Sequence, residues 1–389
     1  MKRGLTGYYI PISTIGETCR AFIPMPLPPE PAILMDERLQ ELAQQASLAL
    51  GRLDGISSLL PDPQHLLYSY IRKEAVLSSQ IEGTQSSLFD LLLYEVEGSP
   101  GVPMEDVREV SKCVAALEHG IQLLRDGLPL SLRLIREVHG ILLCDGRGAD
   151  KESGEFRRSQ NWIGGTRPGN ARHVPPPPDA VIECMGALEN FLHGQPVAVP
   201  VLIRAALAHV QFETIHPFLD GNGRVGRLLI TFLLQSEGIL NQPLLYLSLY
   251  FKQHRSRYYE LLQAVRTEGD WEEWIEFFLE GIIAVASQAG NTTKRLLILF
   301  QENQQQVRSL GRLTSSAMRL MEHLQLHPVT TATAVAADTG MSFHTAQKMF
   351  VALQSLGIVT EASGKKYGRF YTYSAYLAIL NEETHTPFS

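Results

Sequence analysis

From His216 to Arg227 the chain reads His-Pro-Phe-Leu-Asp-Gly-Asn-Gly-Arg-Val-Gly-Arg, which gathers a base, a carboxylate, glycines and two cations into one short stretch. Gly221 and Gly223 let the backbone turn tightly, so that neighbouring N–H groups can point at one anion while the next helix turns its positive end to the same spot. Arg224 and Arg227 are three apart and so share a helical face, where they can hold two successive phosphates. Asp220 is placed to hold a Mg²⁺ that bridges those phosphates. His216 is the side chain able to take a proton from an incoming hydroxyl near neutral pH.

Two apolar helical stretches must position this loop. Residues 200–215 have helical apolar spacing ahead of it, and residues 228–234 continue it as a second helix. The motif is a helix-loop-helix junction, and it resembles the signature of the Fic proteins, His-x-Phe-x-(Asp/Glu)-Gly-Asn-Gly-Arg-x-x-Arg, at every fixed position. The resemblance implies transfer of AMP from ATP to a protein Tyr, Thr or Ser hydroxyl, the work of a protein adenylyltransferase. It implies His216 as base and Asp220 on Mg²⁺. Asn222 and the glycine amides of Gly221 and Gly223 would surround the α-phosphate, Gly226 would also belong to the nucleotide site, and Arg224 and Arg227 would take the β- and γ-phosphates. A kinase-like branch of the superfamily has lysine at the second glycine, and Gly223 argues against it.

A helix is predicted over 64–82, ending Ser78-Ser-Gln-Ile-Glu82-Gly83. Gly83 suits the residue after a helix end, which puts Glu82 where the helix dipole disfavours an acid. Such a departure from local preference either sits in solvent or answers to a cation elsewhere. Ser78-x-x-x-Glu82-Gly83 resembles the inhibitory helix, (Ser/Thr)-x-x-x-Glu-(Gly/Asn), of many Fic proteins. The resemblance pairs Glu82 with Arg227, in the space of the γ-phosphate, with Ser78 hydrogen-bonded to the carboxylate.

Other elements follow from pattern. A proline-rich opening to about residue 32 is expected to lie as an extended strap, followed by a helix over 33–50. Thr84 is expected to cap the helix after the inhibitory one, and residues 98–103 break the pattern. Helices are predicted over 105–124 and, capped by Ser131, over 132–143. Residues 155–175 read as two short extended arms around a turn. In Fic proteins the corresponding hairpin is a flap to which a target segment adds as a strand. Tyr258 and Tyr259 are candidates for an adenine wall, with core packing as the alternative.

Composition bounds the rest. A net charge of −7, 44% hydrophobic and 19% charged residues describe an ordinary globular chain without a global basic field. The start has no continuous apolar segment like that of a secretory signal, and Cys19, Cys113, Cys144 and Cys184 are widely spaced. The expectation is a cytoplasmic protein with free thiols and no membrane association. Residues 314–389 resemble a winged helix-turn-helix with a basic tip at Lys365 and Lys366. Its reader helix carries a single cation, Lys348, which favours protein docking or dimerisation over DNA binding.

The expected chain is therefore mostly α: an N-terminal helical region with the inhibitory helix (1–103), a Fic catalytic core with a β-hairpin flap (104–290), a linker helix (291–313) and a winged-helix-like domain (314–389). ATP is the expected substrate and Mg²⁺ its companion. The partner is a target protein docked on 155–175, with self-modification and a homodimer also open. Removal of AMP by the same site, or an ATP-sensing DNA-binding regulator, are the alternative functions.

Overall fold

The computed structural model describes residues 1–57, 64–98, 103–144, 151–364 and 368–385, with backbone alone at 64–65 and 383–385. The expected boundary at 103 adjoins residues 99–102, and the basic tip at Lys365 and Lys366 also lies outside the described residues. Helices dominate. Among the described residues none is long and apolar enough to cross a membrane, and the four cysteines are free thiols.

The chain opens with an antiparallel hairpin, β1 (Gly7–Thr14) and β2 (Glu17–Pro24), where an extended strap was expected. The prolines after residue 23 obscured the alternation before them. Ile10 to Thr14 and Glu17 to Ala21 alternate in exposure as strands do, and Ile15 and Gly16 both take positive φ (50° and 73°), the twist of a tight two-residue turn. Cys19 and Ala21 pack on Val174, Trp162 and Ala171, and the Phe22 N–H donates to the Val174 carbonyl at 2.8 Å. The hairpin thus backs the 155–175 segment.

Next come α1 (Glu37–Ser57), α2 (Gln64–Ile81), α3 (Leu88–Glu97), α4 (Met104–Arg125) and α5 (Leu132–Leu142). Ser87 caps α3, accepting from the Asp90 N–H while Asp90 bonds back to the Ser87 N–H. It displaces Thr84 from that role, because only Ser87 with an acid three residues on completes a reciprocal cap. Ser131 caps α5 as expected. The segment 155–175 is narrower than two strands: one antiparallel bridge joins Ile163 to His173 around a 3-10 turn at Pro168–Asn170.

The core is organised on α7 (Val201–Ile215), which follows α6 (Pro178–Leu192) and is buried from Leu202 to Ile215 on all sides. A helix with no exposed face belongs at the centre of its domain. It packs on α8 (Asn222–Ser236), and α9 (Ser248–Gln253), α10 (Arg255–Glu268) and α11 (Trp271–Arg308) complete the shell. The expected linker over 291–313 is the second half of α11, a continuous helix that packs along α1, followed by a 3-10 turn at Gly311–Leu313.

The C-terminal part runs α12 (Thr314–Leu326), β3 (Val329–Thr331), α13 (Ala332–Thr339), α14 (Phe343–Ser355), β4 (Thr360–Glu361), β5 (Phe370–Thr372) and α15 (Ser374–His385), with sheet order β3-β5-β4. Thr331 and Ser342 cap α13 and α14 through their hydroxyls, whereas Thr314 is already helical, reached straight from the 3-10 turn. This unit grips the start of α2: the Ser69 and Tyr376 hydroxyls are 2.9 Å apart, and His327 packs edge-on to Tyr68. One helix therefore runs from the C-terminal unit to Ser78, which bonds Arg227 on α8.

Candidate active site

The loop between α7 and α8 is the expected helix-loop-helix junction. His216 ends α7 in the left-handed conformation (φ 49°, ψ 60°), which swings its ring back over the last turn. Its Nδ1 is buried without a hydrogen-bond partner among the described residues and lies 3.9 Å from Oε2 of Glu213. Burial, with Arg157 and Arg266 nearby, holds the imidazole well below its ordinary pKa, so it is neutral and able to accept a proton.

Four residues that motif reading missed hold this loop and the end of α7 in shape. Arg157 donates its Nε to the His216 carbonyl at 2.9 Å and Nη2 to the carbonyls of Ile215 and Pro176. His139 stacks flat on Phe218 with centroids 3.7 Å apart. Its Nδ1 accepts from the Gly154 N–H at 2.9 Å, which leaves Nε2–H to donate to the Asp220 carbonyl at 3.1 Å. Burial lowers its pKa to about 4, consistent with that neutral tautomer. Asn161 donates to the Phe218 carbonyl at 2.9 Å, and His173 pairs with the Thr214 carbonyl at 2.8 Å. The 155–175 arm is thereby pinned to the loop and to the last turn of α7.

The anion cradle is narrower than the sequence implied. Gly221 starts α8 with φ 74°, but its N–H is taken by its neighbour Asp220 Oδ1 at 2.6 Å. The free donors are the first helical N–H groups, those of Asn222, Gly223 and Arg224, which have no acceptor within the helix. The Asn222 side chain braces the loop: its Oδ1 accepts from the Phe218 N–H and its Nδ2 donates to the Phe218 carbonyl, each at 2.8 Å. Gly226 is likewise a packing residue. A Cβ there would stand 2.5 Å from Glu213 Oε1, and its carbonyl accepts from His209 Nδ1 at 2.9 Å.

Both arginines are buried and both meet an acid. Arg224 Nη1 lies 2.9 Å from Glu109 on α4, while its Nε is buried with no acceptor among the described residues. Glu109, absent from the motif, completes a cleft lined by Glu82, His216, Asp220, Gly221, Asn222, Gly223 and Arg224. Arg227 donates Nε to Ser78 Oγ at 2.8 Å and Nη2 to the Ser78 carbonyl at 3.0 Å and Glu82 Oε1 at 2.7 Å. The structure brings the expected pair together, but Ser78 serves Arg227 and not the carboxylate. Burial opposes the Arg227 charge, and Glu82, Tyr258 and Glu213 nevertheless raise its pKa above the ordinary value. Gly83 has φ 109°, as a helix stop requires.

Glu82 lies against the second glycine of the loop: a Cβ on Gly223 would be 2.2 Å from Glu82 Oε1. Tyr258 departs from the adenine-wall expectation. It is buried, with its hydroxyl 2.8 Å from His209 Nε2 and its ring stacked on Phe251. Tyr259 is half-buried beside it and close enough to Glu82 and Arg227 to feel both charges. Asp220 keeps 40% of its side chain exposed toward the cleft, with Arg224 at 3.9 Å. One accessible carboxylate beside a phosphate cradle fits Mg²⁺, which takes one or two protein carboxylates plus phosphate and water.

Comparison with known proteins agrees with this geometry. The model of the Fic/DOC family N-terminal region matches residues 40–122, and that of the Fic/DOC family matches residues 129–234. The protein adenylyltransferase Fic of Aedes aegypti is 39% identical over 153 residues, 39% of this chain and 27% of that protein. The protein of the same name from Drosophila grimshawi is 34% identical over 181 residues, 46% of this chain and 34% of its own. The chain thus spans about a third or less of the length of these relatives. The fold matches the crystal structure of a Fic family protein from Desulfovibrio desulfuricans G20 with a TM-score of 0.56 at 20% identity, over 88% of this chain and 97% of that one. Fic-1 from C. elegans aligns with a TM-score of 0.51 at 20% identity, over 67% and 74% of the two chains.

Proposed function

The chain belongs to the Fic/DOC family, and from that premise we propose that it is a protein adenylyltransferase, moving AMP from ATP to a hydroxyl of a protein target. The observation that carries the proposal is the cleft in which a neutral His216, Asp220, the α8 N-terminus and the buried Arg224 converge, with the buried Arg227 bonded to Glu82 in its lining. The α8 N–H groups and Arg224 take the phosphates, and the unpartnered Arg224 Nε suits a phosphate oxygen. His216 accepts the target hydroxyl's proton as its oxygen attacks the α-phosphorus, and pyrophosphate leaves. Asp220 would hold Mg²⁺, which supplies charge neutralisation of the phosphates.

Glu82 makes this an autoinhibited site. It holds Arg227, the residue assigned to the γ-phosphate, and stands over Gly223 where that phosphate would lie. Tyr259 is retained as the adenine contact. A target segment adds along the arm around Ile163, whose pinning to the loop would bring a bound hydroxyl near His216. The C-terminal unit serves as a winged-helix docking module for protein, and the whole acts in the cytoplasm.

The test incubates wild type, Glu82→Gly and Glu82→Gly/His216→Ala with Mg²⁺ and ATP labelled at the α- or γ-phosphate, in host lysate. Protein label from α but not γ, strong in Glu82→Gly and absent from the double variant, is the expected result. Label from γ, or label that survives loss of His216, would refute the assignment.

A further inference from the structure

One buried acid beside the loop has no role in that scheme. Glu213 stands on the last turn of α7, three residues before His216, and is 6% exposed. Its Oε1 has no hydrogen-bond partner among the described residues, and neither has His216 Nδ1, although the Glu213 backbone carbonyl stands close enough to the imidazole to favour its charged form. Two unpaired buried polar atoms are costly unless they serve each other or an incoming group. Oε2 is already within 3.9 Å of Nδ1, so a small rotation of either side chain closes the pair.

We propose that Glu213 is the positioning residue of the catalytic base: its carboxylate accepts from His216 Nδ1–H and keeps Nε2 bare for the substrate proton. The inference rests on the adenylyl-transfer reading. In the step, the target O–H proton passes to His216 Nε2, the oxygen forms its bond to the α-phosphorus, and the bond from α-phosphorus to the β-bridging oxygen breaks. Pyrophosphate leaves with that electron pair. The imidazolium so formed keeps its Nδ1–H on Glu213, whose negative charge offsets it, until Nε2 returns its proton to solvent.

The surroundings are arranged for such a role. Gly226 has no Cβ, and any there would meet Oε1 at 2.5 Å, so α8 can cover the carboxylate closely. The arginines nearby do not consume it. Arg266 from α10 donates to the Glu213 backbone carbonyl and to Thr214 Oγ1, and Arg227 from α8 sends Nε and Nη2 to Ser78 and Glu82. The charged and titratable groups facing Glu213 are thus His216, Arg227, Arg266, Tyr258 from α10 and Glu82 from α2. Burial raises the Glu213 carboxyl to about 7 against the pull of the arginines, so the acceptor form fills as pH rises through neutrality.

The test uses the full chain carrying Glu82→Gly, with and without Glu213→Gln. The amide keeps the shape but can present N–H₂ to Nδ1, favouring the tautomer that blocks Nε2. We expect kcat to fall about 100-fold or more, ATP KM to stay within about threefold, and the rise of rate through pH 7 to disappear. A kcat within about threefold with an unchanged pH profile would overturn the proposal, as would a uniform loss at every pH that tracks the fraction of folded protein.

A second measurement needs neither the variant's folding nor turnover. In the protein labelled with ¹⁵N-histidine, with His216→Ala for assignment, long-range ¹⁵N–¹H spectra at pH 8 should show His216 as the Nδ1–H tautomer; the Nε2–H tautomer would overturn the pairing. If Glu82→Gly transfers no AMP while His216 is in the Nδ1–H form, the proposed reaction fails and the pairing stands.

Discussion

Replacing Glu82 by glycine removes one of the three acceptors that fix Arg227, and the structure sets the size of the effect. Arg227 is fully enclosed, and its 2.7 Å bond to Glu82 is the only one of the three that joins opposite charges. A hydrogen bond to a charged group contributes roughly 1.5–3 kcal/mol. Glu82 keeps 36% of its side chain in solvent, and screening places the value toward the low end. If the inhibited arrangement is favoured by that amount, its release multiplies the competent population by about 10- to 150-fold. Glu82 competes with phosphate for the same guanidinium, so the gain should fall mainly on apparent ATP affinity. Initial rates of α-label transfer across a range of ATP concentrations, wild type against Glu82→Gly, measure it. Equal rates and equal ATP dependence in the two proteins would refute the assignment of Glu82 as the brake.

Three further outcomes are expected. Ser78→Ala removes the acceptor of Arg227 Nε, a contribution of about 1 kcal/mol, and should raise activity about fivefold, less than Glu82→Gly; a loss of activity measured in the same assay would contradict that order. Tyr258→Phe breaks the bond to His209 and should lower the unfolding midpoint with ATP KM unchanged, whereas Tyr259→Ala should raise ATP KM with little effect on the midpoint. Glu74, buried on α2 and bonded to Ser248, has its carboxyl raised to about 7 by burial. A raised acid contributes stability that is full below the unfolded value and lost as pH climbs through the folded one. Thermal midpoints of Glu74→Gln should therefore gain on those of wild type between about pH 4.5 and 7, and a constant difference across that window would refute the shift.

What was legible and what was not divides along the chain's own geometry. His216, Asp220, Gly223, Arg224 and Arg227 lie within one contiguous loop and helix, so their spacing alone relates them; the structure places the first four on one cleft and bonds Arg227 to Glu82 in its lining. The companions that shape the cleft come from elsewhere: Glu109 from α4, His139 from α5, Arg157 from the bridging arm. No local period records that α4 passes Arg224 or that α5 lays an imidazole on Phe218. Glu213 was nearer in sequence and still missed, because an acid inside a helix reads as a solvated face until α7 is known to be buried throughout. Tyr258 failed in the opposite way. An aromatic pair at a suitable distance beyond the motif suggested a nucleotide wall, and only packing shows that one ring faces His209 in the core.

On the proposed reading, inhibition and catalysis share residues at Gly223. The absence of a side chain was first a requirement of phosphate approach, and it is equally a requirement of Glu82, whose Oε1 lies 2.2 Å from where a Cβ would be. Carboxylate and phosphate are both anions that bind through oxygen, so a cradle built for one accepts the other. A glycine that admits the nucleotide must also admit the brake. If Glu82 is the brake, the chain can lose inhibition there without touching the cradle, whereas any larger residue at 223 would disturb both at once.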